Sequence, residues 1–236
     1  NEENTVFEAD DGTQISDSID ERDPDTLFPL QAALGYDIAQ NLFIAPKNLL
    51  VEGTSDLIFL DTMSTVLQNA GRTGLRDDVT IVPVGGSDKV TTFISLLRGQ
   101  KLQIACLLDT FTDQKGKQRI TDLIRDKIIR EKNVRFFDEF ADNGGGIVDL
   151  EDMFEKGEYV KWFNEAFTEH TDITVSTLDA KEHRIILQIN SKLGIKRFNH
   201  HRPANILAKS APEAKDFSAG TLDRFEKAFE TINKLF

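Results

Sequence analysis

Cysteine is nearly absent from this sequence, and its scarcity narrows the kinds of site that the chain can build. Among 236 residues there is one cysteine, Cys106, and it lies in an apolar run over residues 104–108. A single thiol excludes both a disulfide framework and a cysteine-rich zinc site. The apolar neighbours predict that the Cys106 side chain is buried in the core.

Long apolar runs are also missing. No uninterrupted stretch approaches the ~18 residues that a membrane-spanning helix needs, and no basic segment followed by an apolar one suggests a secretion signal. We therefore expect no membrane partner and a cytoplasmic location. Because the chain begins with Asn1 and a polar segment rather than with methionine, we also expect it to be part of a longer protein.

Basic residues are outnumbered by acidic ones. The chain has 28 Lys and Arg against 40 Asp and Glu, and its formal net charge is −12. This balance argues against a general nucleic-acid coat, whose affinity depends on cationic surface. DNA remains open as a substrate, because grouped acidic side chains can hold divalent cations, and these reverse the local field where a phosphate lies.

Apolar periodicity predicts three parts. Residues 1–29 are polar and lack sustained periodicity, so we interpret them as an arm or linker. Residues 30–150 begin with a helical pattern over 30–42 and then alternate strand and helix patterns, which predicts an α/β domain with a mainly parallel sheet flanked by helices. Residues 151–236 show helical spacing only and predict a second lobe that completes the site and ends in a C-terminal helix.

The segment LLVEGTSDLIFLD, residues 49–61, joins a buried strand to a helix through an acidic turn. Glu52 follows the apolar strand, Gly53 permits a tight turn, and Asp56 falls in the first turn of the next helix. In open α/β sheets, ligands bind in the crevice beyond the carboxyl ends of the strands. Both carboxylates are therefore expected to face that crevice.

Further acidic residues follow the same logic. Asp109 ends the strand predicted over residues 103–108, and Asp149 and Glu151 belong to VDLEDMF at 148–154. Hard cations such as Mg²⁺ and Mn²⁺ need several oxygen ligands from separate chain segments. Acids near helix starts often only cap or solvate, but their grouping at strand ends favours a metal site.

These residues resemble a known family. The sequence is similar to the Toprim catalytic fold, in which a strand-terminal Glu-Gly motif precedes an Asp-x-Asp motif, and within it to the nucleases of the OLD (overcoming lysogenisation defect) family. The matching segments are LGYDIAQNLF at 34–43, LLVEGTSD at 49–56, VPVGGSDK at 82–89, LLDTFTDQKGK at 107–117 and VDLEDMF at 148–154. The resemblance implies a metal-dependent DNA endonuclease that uses two Mg²⁺ or Mn²⁺ ions, preceded in the full-length protein by an ATPase domain.

The resemblance also implies roles for individual residues. By motif, Glu52, Asp56 and Asp109 are catalytic and hold one metal ion, while Asp149 and Glu151 help to hold the other. The chain departs from the family pattern at Phe111, which replaces the second acid of Asp-x-Asp. Two alternatives remain open. Either Asp113 becomes a metal ligand, or Thr110 or Thr112 and water complete the shell.

A lysine of the helical lobe is expected to stabilise the transition state in this family. The matching segment, residues 194–203, offers Lys196, His200 and Arg202, of which we select Lys196 as catalytic. Independently of the family, basic residues concentrate over residues 192–209. We interpret them either as a solvated basic face or as a DNA-binding strip comprising Lys192, Lys196, Arg197, His200 and Arg202.

Other functions fit less well. A topoisomerase needs a nucleophilic tyrosine, but Tyr36 and Tyr159 both fall in helical patterns away from the acidic turns, and one cysteine cannot build the zinc module of a primase. The alternative to the nuclease is a non-catalytic Toprim-fold scaffold, or a DNA-binding module that depends on the missing ATPase partner domain.

Overall fold

The computed structural model describes residues 5–9, 12–16, 45–97, 102–112, 114–142, 146–170 and 173–236. The chain divides into two compact units, 1–46 and 47–236. In the first unit, β1 (Thr5–Ala9) pairs antiparallel with β2 (Gly12–Ser16). The helix expected over residues 30–42 lies outside the described residues. The arm over residues 1–29 stays a prediction, as do the other two domain boundaries.

The second unit is built on a four-stranded parallel sheet, as the sequence predicted. Its strands are β3 (Lys47–Val51), β4 (Val79–Pro83), β5 (Gln103–Leu108) and β6 (Val134–Phe136). They lie in the order β4-β3-β5-β6, so β3 and β5 are the inner strands. Leu49, Leu50 and Val51 are fully buried, because both faces of the sheet are covered.

Helices cover the sheet and form the second lobe. They are α1 (Thr54–Asn69), α2 (Ser87–Leu96), α3 (Gln114–Arg125), α4 (Lys156–Ala166), α5 (Ile185–Leu193), α6 (His201–Lys209) and α7 (Ala219–Asn233). The first three each follow a strand, and the last four form the expected helical lobe. In the part of the chain that the structure describes, no helix is long and apolar enough to cross a membrane.

The core lies on both faces of the sheet, because successive side chains of a strand point to opposite sides. Leu50 and Cys106 face α2 and α3, and the Cys106 thiol is fully buried, as predicted. Leu49 and Leu107 face α1 and a larger cluster that continues into the helical lobe. Because α1 packs directly against α6 and α7, the core on this face continues from the sheet into the helical lobe.

Arg224 of α7 bonds to residues that directly follow the acidic segment 149–152. Its guanidinium donates to the Met153 carbonyl oxygen at 2.8 Å and to the Glu155 carboxylate at 3.0 Å. Arg224 and Met153 are buried, so the bond between them is shielded from water and stronger than a surface contact, whereas the Glu155 carboxylate is half exposed. The chain directly after the acidic segment is thereby tied to α7.

Candidate active site

A cavity of about 590 Å³ opens beyond the carboxyl ends of β3 and β5. We call it the cleft. Its charged lining consists of an acidic group and a basic group. The acidic group is Glu52, Asp56, Asp109, Asp149 and Glu151, and the basic group is Arg184, Lys196, Arg197 and His200. The structure thus brings together acids from three chain segments that sequence analysis could only associate by pattern.

The turn after β3 fixes the first two acids. The Gly53 N–H donates to Asp56 Oδ2 at 2.8 Å, and the Ser55 hydroxyl donates to Asp56 Oδ1 at 3.2 Å. The Glu52 carbonyl oxygen accepts from the Gly85 and Gly86 N–H groups at 2.9 and 2.7 Å. Both of these glycines have positive φ, a conformation that side chains disfavour. The backbone of Glu52 is therefore clamped while its side chain faces the cleft.

Asp109 connects the end of β5 to the acidic segment. Its Oδ1 accepts from the Leu150 N–H at 2.9 Å, across 41 residues of sequence. The Thr110 N–H donates to the Val148 carbonyl oxygen at 2.9 Å, which adds a second link between the same two segments. These bonds place Asp109 in the same cavity as Asp149 and Glu151.

Asp152 links the acidic segment to α5, although it does not line the cleft. One carboxylate oxygen accepts from the Asp149 N–H at 3.0 Å and the other from the Ile185 N–H at 2.8 Å. Burial raises the pKa of Asp152 to about 7. The carboxylate therefore sets the position of Asp149 relative to the start of α5.

Arg184, the residue that precedes α5, also lines the cleft, although no pattern in the sequence indicates it. Its Nη2 donates to Asp149 Oδ1 at 2.6 Å and its Nε donates to Asp149 Oδ2 at 2.8 Å, a bidentate ion pair at the edge of the cleft. In the sequence, Arg184 only precedes an apolar run and resembles any basic residue at a helix start. No local signal could have assigned it to the site, because the pairing spans 35 residues.

Clustering of the carboxylates changes their protonation. Burial, together with the Asp56 carboxylate, raises the pKa of Glu52 to about 7. Burial and the Glu151 carboxylate raise the pKa of Asp56 to about 6. The pKa of Asp109 lies well above its ordinary value, because burial and the surrounding carboxylates both disfavour its charge. The acidic group therefore carries an unfavourable concentration of negative charge.

Such a group fits Mg²⁺ or Mn²⁺ in its chemistry, since both ions prefer carboxylate oxygens and would offset the repulsion. The positions of these carboxylates, however, do not yet form a binding site for one ion. Among the described residues, no three His, Cys, Asp or Glu side chains are gathered closely enough to hold one ion. The Asp149 carboxylate is already ion-paired with Arg184, and the Glu151 carboxylate contacts His200. Side-chain rotations are therefore required before the acids can share an ion. Asp113 lies outside the described residues.

Three residues of the expected DNA-binding strip line the cleft, namely Lys196, Arg197 and His200. The other two do not. The Arg202 guanidinium donates to the Ala166 carbonyl oxygen and lies 4.0 Å from the centre of the Phe167 ring, and Lys192 is exposed elsewhere on the lobe. Their assignment to DNA stays a prediction, as do the roles of the cleft residues.

Phe111, the departure from Asp-x-Asp, packs edge-on against Phe136 of β6 with ring centroids 5.6 Å apart. It lines a smaller adjoining cavity of about 140 Å³ with Thr110, Thr112 and four charged residues of the cleft. The threonines thus lie beside the acidic group, where they offer hydroxyl oxygens. The choice between these threonines and Asp113 as metal ligands stays a prediction, because Asp113 lies outside the described residues.

A family model matches part of the segment that carries the resemblance seen in the sequence. Residues 43–110, from the approach to β3 through Asp109, match the model of the overcoming lysogenization defect protein-like TOPRIM domain. Among solved structures, the chain is similar to the C-terminal region of the Xanthomonas campestris pv. campestris OLD protein, with 17% identity, a TM-score of 0.43, and coverage of 80% of this chain and 96% of that one. No curated protein matches the sequence. Over residues 43–110, the chain is therefore similar to a Toprim domain of the OLD type.

Proposed function

We propose that the cleft hydrolyses phosphodiester bonds of DNA with the help of two divalent cations, Mg²⁺ or Mn²⁺. The observation that supports this proposal is the shared lining of the cavity. Acids from the end of β3, the end of β5 and the segment 149–152 meet Arg184, Lys196 and Arg197 in one space. Carboxylates provide ligands for the cations, and the basic side chains provide partners for the anionic substrate.

In this proposal, the acidic group divides into two ligand sets. Glu52, Asp56 and Asp109 hold one ion, while Asp149 and Glu151 help to hold the other. When bound, such ions lower the pKa of an attacking water and stabilise the leaving oxygen. The hydrogen bonds from Gly53 and Ser55 to Asp56 keep its carboxylate oriented, which reduces the entropy lost when ligands assemble.

The basic group has the task of bringing DNA to the acids. With a net charge of −12, the chain as a whole repels a polyanion. Lys196 and Arg197 place positive charge inside the cleft itself, where it can contact phosphate oxygens of the substrate. We assign to Lys196 the role of stabilising the negative charge that develops on the phosphate in the transition state.

The decisive experiment uses supercoiled plasmid incubated with the purified chain and Mg²⁺, Mn²⁺, Ca²⁺ or chelator. We expect nicked or linear DNA with Mg²⁺ or Mn²⁺ and none with chelator. Glu52→Ala should reduce the rate at least ~100-fold, because it removes a metal ligand. The matched control is Glu131→Ala, since Glu131 is exposed and lies outside the cleft.

Circular dichroism and thermal melting of each variant complete the experiment. A folded Glu52→Ala protein that cleaves at the wild-type rate would refute the assignment of the cleft. Loss of folding in both Glu52→Ala and Asp109→Ala would indicate that these carboxylates serve the structure instead.

Two observations favour a second candidate, a non-catalytic Toprim-fold scaffold or DNA-binding module that depends on an ATPase partner domain. Phe111 occupies the position of an acid, and no three-ligand group is assembled among the described residues. Calorimetric titration with Mn²⁺ separates the candidates. Absence of Mn²⁺ binding together with intact plasmid under every condition would support the scaffold.

A further inference from the structure

We infer that Arg184 is a built-in counter-ion of the cleft, which neutralises Asp149 in the metal-free protein and is transferred to a DNA phosphate when a divalent cation takes Asp149. The inference rests on the proposed function only for the two ligands, a divalent cation and DNA. In this role, Arg184 pairs with Asp149 when the cleft is free of metal and with a DNA phosphate when a divalent cation is bound.

The geometry of the ion pair shows which atoms of Asp149 are engaged by Arg184. Nη2 and Nε of Arg184 lie 2.6 and 2.8 Å from the two oxygens of Asp149, so both oxygens that could bind a cation already accept hydrogen bonds. The Asp149 side chain is only 4% exposed. Removal of the guanidinium without a replacement would leave a buried, unpaired carboxylate, which is strongly unfavourable. Asp149 therefore needs a cation in either state.

The surroundings of Arg184 indicate where it can move. Its side chain is 20% exposed, so it is the more accessible member of the pair. It lines both the cleft and the adjoining small cavity, and Glu52 and Asp109 line the same two spaces. Within the described part of the chain, Nη1 of Arg184 makes no hydrogen bond. The guanidinium can thus turn into the cleft by side-chain rotation alone.

A purely structural ion pair explains less of the arrangement. The backbone at this position is held separately, because the Arg184 N–H donates to Glu182 Oε1 at 3.0 Å and the Ile185 N–H donates to Asp152 at 2.8 Å. The start of α5 therefore does not depend on the Arg184 side chain. A pair needed only for folding would not have to lie beside the acidic group of the cleft.

Exchange of partners follows from charge. A divalent cation at Asp149 places two positive charges beside the guanidinium, and the resulting repulsion favours its departure. The planar fork of arginine matches phosphate oxygens as well as it matches a carboxylate. Lys196 and Arg197 line the same cleft, so a phosphate there would meet three basic side chains.

Titration of the full chain with Mn²⁺ by calorimetry tests the exchange. Arg184→Gln should bind Mn²⁺ about tenfold more tightly than wild type, because the competing charge is gone. Arg184→Lys keeps the charge but loses the bidentate fork, so its affinity should fall between the two. The matched control is Arg125→Gln, which removes an exposed arginine of α3 paired with Asp122 and should change nothing.

DNA binding supplies a second readout. With Ca²⁺ present, the slope of log Kd against log salt should fall by about one in Arg184→Gln, since one phosphate contact is lost. With chelator instead, wild type and variant should have equal slopes, because Arg184 is then engaged by Asp149. An equal slope in Ca²⁺ would overturn the transfer to phosphate.

Weaker Mn²⁺ binding by Arg184→Gln would overturn the inference, because it would mean that the arginine orients Asp149 for the metal. If this variant fails to fold, the Arg184→Lys titration decides the question. Affinity above wild type supports the inference, and affinity at or below wild type contradicts it. Neither readout requires cleavage. Intact plasmid with the expected changes would refute only the nuclease, whereas cleavage without them would refute only the exchange.

Discussion

Nδ1 of His200 lies 3.2 Å from Oε1 of Glu151, and the imidazole packs against the Phe198 ring with centroids 4.8 Å apart. The next residue, His201, has its Nδ1 3.4 Å from the Thr54 hydroxyl, across 147 residues of sequence. The start of α6 therefore contacts two of the three acidic segments of the cleft, the turn after β3 and the segment 149–152. These adjacent histidines join the helical lobe to the segments that hold the acids.

The contact between His200 and Glu151 predicts the effect of His200→Phe. Phenylalanine keeps the packing against Phe198 but leaves the nearly buried Glu151 carboxylate without its partner. The loss of such a bond costs about 1–3 kcal/mol, which corresponds to about 2–8 °C in melting temperature for a chain of this size. Differential scanning calorimetry of the metal-free protein measures it. His183→Phe, at an exposed position before α5, should melt like wild type.

The raised pKa values predict how the stability of the metal-free protein depends on pH. Glu52, Asp56 and Asp152 have folded-state pKa values of about 7, 6 and 7, against about 4 in the unfolded chain. Between these limits the folded state binds more protons than the unfolded state, so stability falls as pH rises. We expect the melting temperature to drop by about 3–8 °C from pH 5.5 to pH 8 in chelator.

Addition of Mg²⁺ at pH 8 should reverse that drop, because metal binding requires the deprotonated carboxylates. At pH 5.5 the same concentration should have a smaller effect. A melting temperature that rises with pH in chelator would contradict the electrostatic description of the acidic group.

The position of the basic side chains predicts their separate contributions to DNA affinity. Lys196 and Arg197 line the cleft, so replacing both with glutamine should reduce the salt slope of DNA binding by about two. Arg202 is engaged by the Ala166 carbonyl oxygen and the Phe167 ring, so Arg202→Gln should change the slope by less than one. Fluorescence anisotropy in Ca²⁺ at several salt concentrations measures the slopes. A change of one or more in the slope for Arg202→Gln would indicate that DNA also binds outside the cleft.

Asp152 is a positioning residue whose replacement separates structure from ligand binding. Its two oxygens accept from the N–H groups of Asp149 and Ile185, and an asparagine can accept only one of these bonds. Asp152→Asn should lower the melting temperature by about 2–8 °C and weaken Mn²⁺ binding, because Asp149 is no longer held. Unchanged Mn²⁺ affinity in a destabilised variant would mean that Asp152 stabilises the fold but does not position a metal ligand. Asp216→Asn, at an exposed carboxylate, serves as the control.

Most secondary structure could be read from the sequence, because it is set by local chemistry. The apolar run before Glu52 predicted a covered strand, and the structure has β3 there with its apolar residues fully buried. The helical spacing after Asp56 predicted α1, which begins at Thr54 and ends at Asn69. Turn glycines and residue periodicity act over a few residues, so a single sequence contains what is needed to place these elements.

The sequence by itself determined the strands, the acidic turns at their carboxyl ends and the Toprim resemblance, since each depends on residues close together in the chain. Only the tertiary structure decided which basic side chains lie beside those acids. It brought Arg184 to Asp149 and Lys196 into the cleft, and it placed Arg202 against Phe167. The reason is physical: these partners are fixed by the packing of α6 and α7 against α1 and by the buried bonds of Asp152, which join segments too far apart for any local pattern to relate.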